Sequence, residues 1–191
     1  MDSITSSSAG EARRRLSDAL ARVGGGSESA LQEVYSNTSA KLFGLILRIL
    51  GDRGEAEDAL QEVYVSVWCR AGSFDPSKAS PVTWLAAIAR NRAIDRLRAS
   101  GRPRPAEPIE SARDIADTGD DALTQLEAGE ERARLNGCVE ELETRQASAI
   151  RSAFFGGLSY PELAERAEVP LGTMKSWVRR GLLRLRDCLE R

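Results

Sequence analysis

The chain has 191 residues, of which 41% are hydrophobic and 29% charged, as in an ordinary soluble protein with one medium or two small domains. Its formal net charge of −2 gives no general sign of nucleic-acid binding, so only the distribution of charge bears on that question. The sequence has no histidine, the commonest general base, and its three cysteines show no CxxC spacing.

These features predict a protein that is not an enzyme and has no catalytic residues, metal site or cofactor. Cys69, Cys138 and Cys188 are expected to be reduced, partly buried thiols. No apolar run approaches the ~20 residues of a membrane span. Met1 to Gly10 lacks the basic and apolar parts of a signal peptide. We therefore expect a cytoplasmic protein without membrane insertion.

Four helices are predicted in the first hundred residues, after a Ser-rich stretch at residues 1–10 that we expect to be disordered. The helices cover about Glu11–Val23, Ser29–Ile49, Glu55–Ala71 and Pro81–Arg98. The third helix shows the clearest period, because apolar residues recur at three- and four-residue spacing, as a buried helical face requires (Leu60, Val63, Tyr64, Val67). A loop at Gly72 to Ser77 precedes the fourth helix.

The helical pattern stops at residues 100–122, which we predict to be a flexible linker. Three prolines lie in this stretch, at Pro103, Pro105 and Pro108. From Glu107 to Glu131 the chain carries nine acidic residues and only one basic residue, a composition that disfavours a packed core. The predicted organisation is therefore a first domain at residues 11–99 and a second at residues 123–191.

The second domain is predicted to be helical throughout. Its helices cover about Leu123–Leu142, Arg145–Phe155 with Thr144 as the cap, a short helix from Ser159 to Ala167, and Thr173–Leu189. Ser159 and Glu162 have the spacing of a capping box. No segment of the chain alternates with a period of two, so the predicted fold class is all-α, with two small helical domains.

Residues 159–180 have the layout of a helix-turn-helix, in which a capped short helix is followed by a turn and a longer basic helix. Residues 171–191 carry six basic and two acidic side chains. We expect one apolar face of the last helix to pack inward (Met174, Val178, Leu182, Leu185, Leu189). The basic side could then bind DNA phosphates, and the alternative is a solvated basic helix on an ordinary bundle.

The first domain places an acidic patch close to a basic helix. Asp58, Gln61 and Glu62 share one helical face; a solvated face is the simpler interpretation of this patch alone. Arg90 to Arg104 holds six arginines and one aspartate. On that helix Asn91, Arg92, Asp95, Arg96 and Arg98 form one side, and Ala93, Ile94 and Leu97 form the other.

Several of these segments together resemble the extracytoplasmic-function (ECF) family of bacterial RNA polymerase sigma factors. In the second domain they are residues 142–146, 156–160, 162–164, 169–176 and 183–186, and the Gly-Thr-Met-Lys-Ser run at 172–176 is the most specific. In the first domain they are residues 56–68, the loop 74–79, and residues 83–85 with 88–98. The two regions occur in the family's order.

The resemblance implies a sigma factor that binds core RNA polymerase, recognises and melts promoter DNA, and is controlled by an anti-sigma factor. It assigns polymerase binding to Asp58, Gln61 and Glu62. It assigns the minus-ten element, including a flipped base and melted strand, to Phe74, Asp75, Ser77, Lys78, Arg90, Asn91, Arg92, Asp95 and Arg96. It assigns the minus-thirty-five duplex to Thr173, Lys175, Ser176, Trp177, Arg179 and Arg180.

Three of these residues, and Trp84 of the fourth predicted helix, have structural interpretations as well. Phe74 is either a stacking platform or, as we favour, an anchor in the core, and Trp84 is expected in the core rather than as a wedge. Asp95 is a candidate partner for a neighbouring arginine. Trp177 stands where the family usually has Arg, and it either contacts DNA or closes the edge of the core.

Three rival functions remain at this point. The first is a stand-alone regulator that uses only the final helix-turn-helix and binds specific DNA without polymerase. The second is a metal-dependent nucleic-acid-processing enzyme, for which Asp58 and Glu62 have no third matching ligand. The third is an interaction protein with solvated charged helices and no role on DNA.

Overall fold

The computed structural model describes residues 5–101 and 133–191, with side chains from residue 10 onward, and these stretches lie in two compact units. The N-terminal unit (residues 5–101) contains α1 (Thr5–Gly24), α2 (Glu28–Leu50), α3 (Arg53–Arg70), a 3₁₀ turn (Ala71–Ser73) and α4 (Pro81–Ala99). The C-terminal unit (residues 133–191) contains α5 (133–140), α6 (Thr144–Phe154), α7 (Tyr160–Arg166) and α8 (Leu171–Leu189).

The predicted all-α class is confirmed, since the described ranges contain helices and no strand. None of the helices within these ranges is both long and apolar enough to cross a membrane. The predicted linker beyond Gly101, and the predicted helix before residue 133, lie outside the described residues.

Helix α1 begins at Thr5 rather than at Glu11. The helix thus includes residues 5–10 of the stretch that we expected to be disordered. Leu16, Ala19, Leu20 and Val23 are buried and fix the second half of α1 in the core. Once that half is formed, each residue added in front of it completes a backbone hydrogen bond without a new nucleation cost.

The core of the N-terminal unit forms where one face of each of the four helices meets the others. On α3 the four residues that defined the predicted face are all buried (Leu60, Val63, Tyr64, Val67). On α4, Ala93, Ile94 and Leu97 are buried as predicted. Ser27, Asp52 and Ser80 cap the starts of α2, α3 and α4, so that each helix has a defined first turn.

Helices α6, α7 and α8 pack around a small apolar cluster in the C-terminal unit (Ala149, Leu163, Ala164, Met174, Val178). The predicted capping box at the start of α7 is confirmed, with the Ser159 amide donating to the Glu162 carboxylate at 2.7 Å. The prediction that Thr144 caps α6 is wrong. Glu143 holds the cap position without a side-chain hydrogen bond to the helix, and its carboxylate accepts from Arg184 at 3.0 Å instead.

The predicted inward face of α8 is correct only in its first half. Met174 and Val178 are buried, but the buried face continues through Gly181, while Leu182 is 50% exposed and Leu189 is also exposed. A side chain at position 181 would meet Ile150 and Gln146 of α6. Because glycine has none, α6 comes close to α8 there and leaves Leu182 to one side.

The expectation of three reduced thiols is also wrong. Cys138 at the end of α5 and Cys188 at the end of α8 form a disulfide with their Cα atoms 5.8 Å apart. Cys69 is exposed and unpaired. Fifty positions separate Cys138 from Cys188, and no spacing rule within the sequence brings such a pair together.

Candidate functional site

The acidic patch of α3 and the basic side of α4 meet in one ion-pair network. Arg96 donates to Glu62 at 2.8 Å and lies 3.5 Å from Asp58, and Arg92 lies 3.2 Å from the other Glu62 oxygen. These side chains line a shallow groove together with Gln61, Val65 and Ser66. The residues assigned to polymerase binding therefore lie next to Arg92 and Arg96, which are assigned to DNA binding.

Exposure differs among the members of this network. Gln61 and Asp58 are exposed, whereas the Arg96 side chain is only 27% exposed. Ion pairs at such a solvated surface contribute between 0 and about 1 kcal/mol each. Another charged molecule can therefore replace one member of such a pair at little cost. Arg96 is held more firmly than Arg92, because it is less exposed and contacts both Glu62 and Asp58.

The loop before α4 is ordered by a turn centred on Asp75. Its carboxylate accepts hydrogen bonds from the Ser77 hydroxyl at 2.6 Å and the Ser77 amide at 3.0 Å, and Lys78 lies 3.2 Å away. These bonds from Ser77, with the contact to Lys78, lower the pKa of Asp75 below its usual value. The turn thus presents Ser77 and Lys78 at the surface.

Aromatic packing anchors this loop to α4. The Phe74 and Trp84 rings have centroids 5.5 Å apart and are tilted by 58°. Both residues are half-buried. The anchor interpretation of Phe74 and the core interpretation of Trp84 agree with this geometry.

The exposed side of α4 carries the remaining residues assigned to the minus-ten element. Asn91 and Asp95 are exposed, and Arg90 is half-buried. Burial lowers the pKa of Arg90 below its ordinary value, and the nearby charge of Arg98 lowers it further. Asp95 has no ion-pair partner within residues 10–101 and 133–191, so the neighbouring arginine that we considered for it is not found there.

The outer side of α8 carries the residues assigned to the minus-thirty-five duplex. Gly172, Thr173, Ser176, Arg179 and Arg180 surround a shallow open depression. Lys175 is exposed beside them. The Ser176 hydroxyl donates to the Gly172 carbonyl at 2.8 Å, and the Arg180 Nε donates to the Ser176 carbonyl at 3.4 Å. Helix α8 therefore presents a basic surface opposite its buried face.

Trp177 lies between these two sides of α8. It is half-buried and packs against the apolar cluster. The Arg145 guanidinium of α6 lies over its ring, 5.7 Å from the centroid. The ring therefore borders the core, as one of the two interpretations requires. The contact with Arg145 was missed because it joins two helices and has no signature in the local sequence.

Comparisons with known proteins agree with the two-unit organisation. Residues 34–102 match the family described as Sigma-70 region 2, and residues 132–185 match Sigma-70, region 4. The chain is 36% identical over 171 residues to the ECF RNA polymerase sigma factor SigK of Mycobacterium tuberculosis, which covers 90% of this chain and 91% of the relative. The SigK of Mycobacterium ulcerans is 35% identical over 175 residues, 92% of this chain and 94% of the relative.

Among solved structures, Rhodobacter sphaeroides SigE in complex with the anti-sigma ChrR is 33% identical to this chain. The alignment covers 94% of this chain and 99% of SigE, with a TM-score of 0.48.

Proposed function

Because the chain belongs to the ECF family of RNA polymerase sigma factors, we propose that it binds core polymerase through α3 and promoter DNA through α4, the preceding loop and α8. A sigma factor brings polymerase to promoters, so the chain acts in transcription initiation. The observation that supports the residue assignment is that the first matched region carries exposed acidic and polar residues on α3 and the second carries an exposed basic surface on α8.

Polymerase docking is assigned to Asp58, Gln61 and Glu62. Their partner would be a basic surface of the largest polymerase subunit, and opposite charges give such a contact its orientation and speed of association. Arg92 and Arg96 hold the two carboxylates in the free protein. Since these pairs are solvated, the basic partner can replace the arginines.

The minus-ten element is assigned to Ser77 and Lys78 of the loop, with Asp75 ordering it and Phe74 anchoring it, and to the polar side of α4, where Asn91 and Asp95 are exposed and the arginines are half-buried (Arg90, Asn91, Arg92, Asp95, Arg96). Extruding a base costs a few kcal/mol. Contacts that form only with the melted strand offset this cost and shift the duplex toward the open state.

The minus-thirty-five element is assigned to Thr173, Lys175, Ser176, Trp177, Arg179 and Arg180 of α8. The first turns of a recognition helix contact base edges in the major groove, and its arginines and lysines contact phosphates. Trp177 would contribute at the edge of this surface.

Control by an anti-sigma factor is proposed from exposed apolar side chains on each unit. Val65 is 65% exposed beside the acidic patch, and Leu182 lies exposed on α8. If an inhibitor masks them, Leu182→Ser should raise transcription of target promoters in the native host without changing transcription by the purified chain. Unchanged transcription in the host would contradict the masking.

We further propose that the chain performs no covalent chemistry and acts in the cytoplasm, where bacterial polymerase works. A metal-dependent nuclease or related activity, detected with purified chain and Mg²⁺, would contradict the first statement. Fractionation of host cells that placed the chain outside the cytoplasm would contradict the second.

Reconstituted transcription tests the assignment. Core polymerase with the wild-type chain should initiate selectively on a library of genomic fragments. Asn91→Ala/Arg92→Ala and Lys175→Ala/Arg179→Ala should each lower initiation by at least about tenfold, because one good contact is worth roughly 1 to 3 kcal/mol. Arg13→Ala/Arg14→Ala is the matched control, since both arginines are exposed on α1, and it should leave initiation at the wild-type level.

Polymerase docking is measured in the same preparation by capture of the largest subunit. Asp58→Arg should weaken capture, whereas Glu57→Arg, which changes the neighbouring exposed carboxylate, should not. If Asp58→Arg captured the largest subunit as well as wild type does, the docking surface would have to lie elsewhere on the chain. If the chain bound specific DNA and core polymerase did not increase its affinity, the stand-alone regulator would be the better assignment.

A further inference from the structure

Arg145 occupies an unusual position in the C-terminal unit. It lies in the first turn of α6, outside the helix-turn-helix formed by α7 and α8. Its guanidinium is over the Trp177 ring. Trp177 follows Thr173 by one helical turn and precedes Arg180 by three residues, so the three share a flank of α8. Arg145 is thereby brought to the border of the basic surface of α8.

A second arginine at the contact of α6 and α8 is held differently. Arg184 donates to the Glu143 carboxylate at 3.0 Å and to the Gln146 amide oxygen at 3.3 Å. Its charge is balanced inside the unit. Arg145 is exposed, and within residues 10–101 and 133–191 its side chain makes no hydrogen bond or ion pair. Its charge thus remains available to a ligand.

We propose that Arg145 contacts a DNA backbone phosphate beside the recognition helix, and that Trp177 is the residue that positions it. The inference rests on the proposed binding of duplex DNA by α8. It explains how an aromatic residue can replace the arginine that the family usually has at position 177. The ring does not supply the positive charge itself, but holds a charge that comes from another helix.

The chemistry of the guanidinium supports this arrangement. Its flat face is attracted to an aromatic ring, while its N–H groups lie in its own plane and stay free to donate. Two of these donors match two oxygens of one phosphate. A guanidinium held on Trp177 also loses less side-chain freedom when it binds than an unsupported arginine does.

The salt dependence of DNA binding tests the proposal. Wild-type holoenzyme, made from core polymerase and the full chain, first enriches a duplex probe from a random-sequence library. The dissociation constant of that probe is then measured over a series of salt concentrations. Removing one phosphate contact makes the slope of log affinity against log salt less steep by about 0.9. Between 1 M and 0.15 M salt, such a variant should therefore gain roughly fivefold less affinity than wild type.

Arg145→Ala should show this loss of slope, and Arg145→Lys should largely restore it. Trp177→Leu should weaken binding in the same direction, and adding it to Arg145→Ala should have no further effect on the slope. Trp177→Phe keeps an aromatic face and should lie closer to wild type; it also gives an answer if Trp177→Leu does not fold. Arg151→Ala is the matched control, because Arg151 is exposed farther along α6, and it should keep the wild-type slope.

The outcomes separate this inference from the function on which it rests. A wild-type slope in Arg145→Ala, together with weaker binding in Lys175→Ala, would overturn the phosphate contact and leave the assignment of α8 intact. A normal slope in both Trp177 variants, with a reduced slope in Arg145→Ala, would overturn the positioning role of Trp177. If wild-type holoenzyme enriched no sequence, the proposed function itself would fail.

Discussion

The hydroxyl groups of Tyr64 and Thr38 form a buried polar link between α3 and α2. The two oxygens are 2.7 Å apart, and the Thr38 hydroxyl also donates to the Val34 carbonyl at 2.6 Å. Since Thr38 has a single hydroxyl hydrogen, Tyr64 must donate to Thr38. Burial raises the pKa of Tyr64 from 10 to about 12. The core therefore depends on Tyr64 keeping its proton.

This link predicts how stability changes at high pH. The pKa of Tyr64 is higher in the folded than in the unfolded chain, so its contribution is complete below pH 10 and is lost as pH rises to about 12. The loss should reach about 2 to 3 kcal/mol, at about 1.4 kcal/mol per pKa unit. Urea unfolding at pH 8 to 12 measures it as the difference between wild type and Tyr64→Phe.

Tyr64→Phe should also lose about 0.5 to 1.5 kcal/mol at pH 8, because it removes one hydrogen bond. Tyr160→Phe is the control, because it removes the hydroxyl of an exposed tyrosine in the C-terminal unit. It should leave the unfolding of the N-terminal unit unchanged. Parallel pH profiles for wild type and Tyr64→Phe would show that Tyr64 ionises as easily in the folded chain as in the unfolded one.

At the scale of elements, a close approach of two backbones holds α1 against the 3₁₀ turn that precedes the loop at Phe74. A Cβ atom built on Gly24 would lie 2.9 Å from both the Cα and the N of Gly72, and 3.3 Å from the Ala71 carbonyl carbon. Backbone atoms cannot rotate away as a side chain can. The glycine that ends α1 therefore sets the position of the segment leading into the candidate DNA-binding loop.

Gly24→Ala should destabilise the N-terminal unit by about 1 to 3 kcal/mol, as overpacking does elsewhere. Gly72→Ala is the matched control at the same contact, because its Cβ would meet only the Gly24 carbonyl oxygen at an ordinary 3.9 Å. Its effect should stay within about 0.5 kcal/mol. Equal midpoints for the two variants in urea unfolding would refute the close approach.

For the molecule as a whole, two units of this size each bury only a small core. The C-terminal unit gains a covalent bond between Cys138 and Cys188 that joins α5 to the end of α8. A crosslink that closes a loop of 50 residues restricts the unfolded chain more than the folded one. Within the N-terminal unit, Cys69 is exposed and unpaired.

Loss of this disulfide should destabilise the C-terminal unit selectively. Reduction, or Cys188→Ser, should lower its free energy of unfolding by about 2 to 4 kcal/mol. Reductant should have no further effect on Cys188→Ser, and Cys69→Ser should behave as wild type. Thermal unfolding with and without dithiothreitol measures this, and a transition insensitive to reductant in wild type would show that the bond does not stabilise the unit.

Local order along the chain was sufficient to predict α2 to α4 and α6 to α8 to within a few residues at each end, and to indicate the family. The spacing of Leu60, Val63, Tyr64 and Val67 predicted a buried face of α3, and the capping box at Ser159 predicted the start of α7. Both depend on contacts within one or two helical turns. The helix-turn-helix and the all-α class follow from the same short-range periods.

Only the tertiary structure decided which distant groups are partners. Arg96 and Glu62 are 34 positions apart, and Cys138 and Cys188 are 50 apart. Such pairs depend on the angle and distance at which two helices cross, and no period within one helix encodes these quantities. For the same reason the buried face of α8 runs through Gly181 rather than Leu182: the approach of α6, not the hydrophobicity of leucine, selects the side that is covered.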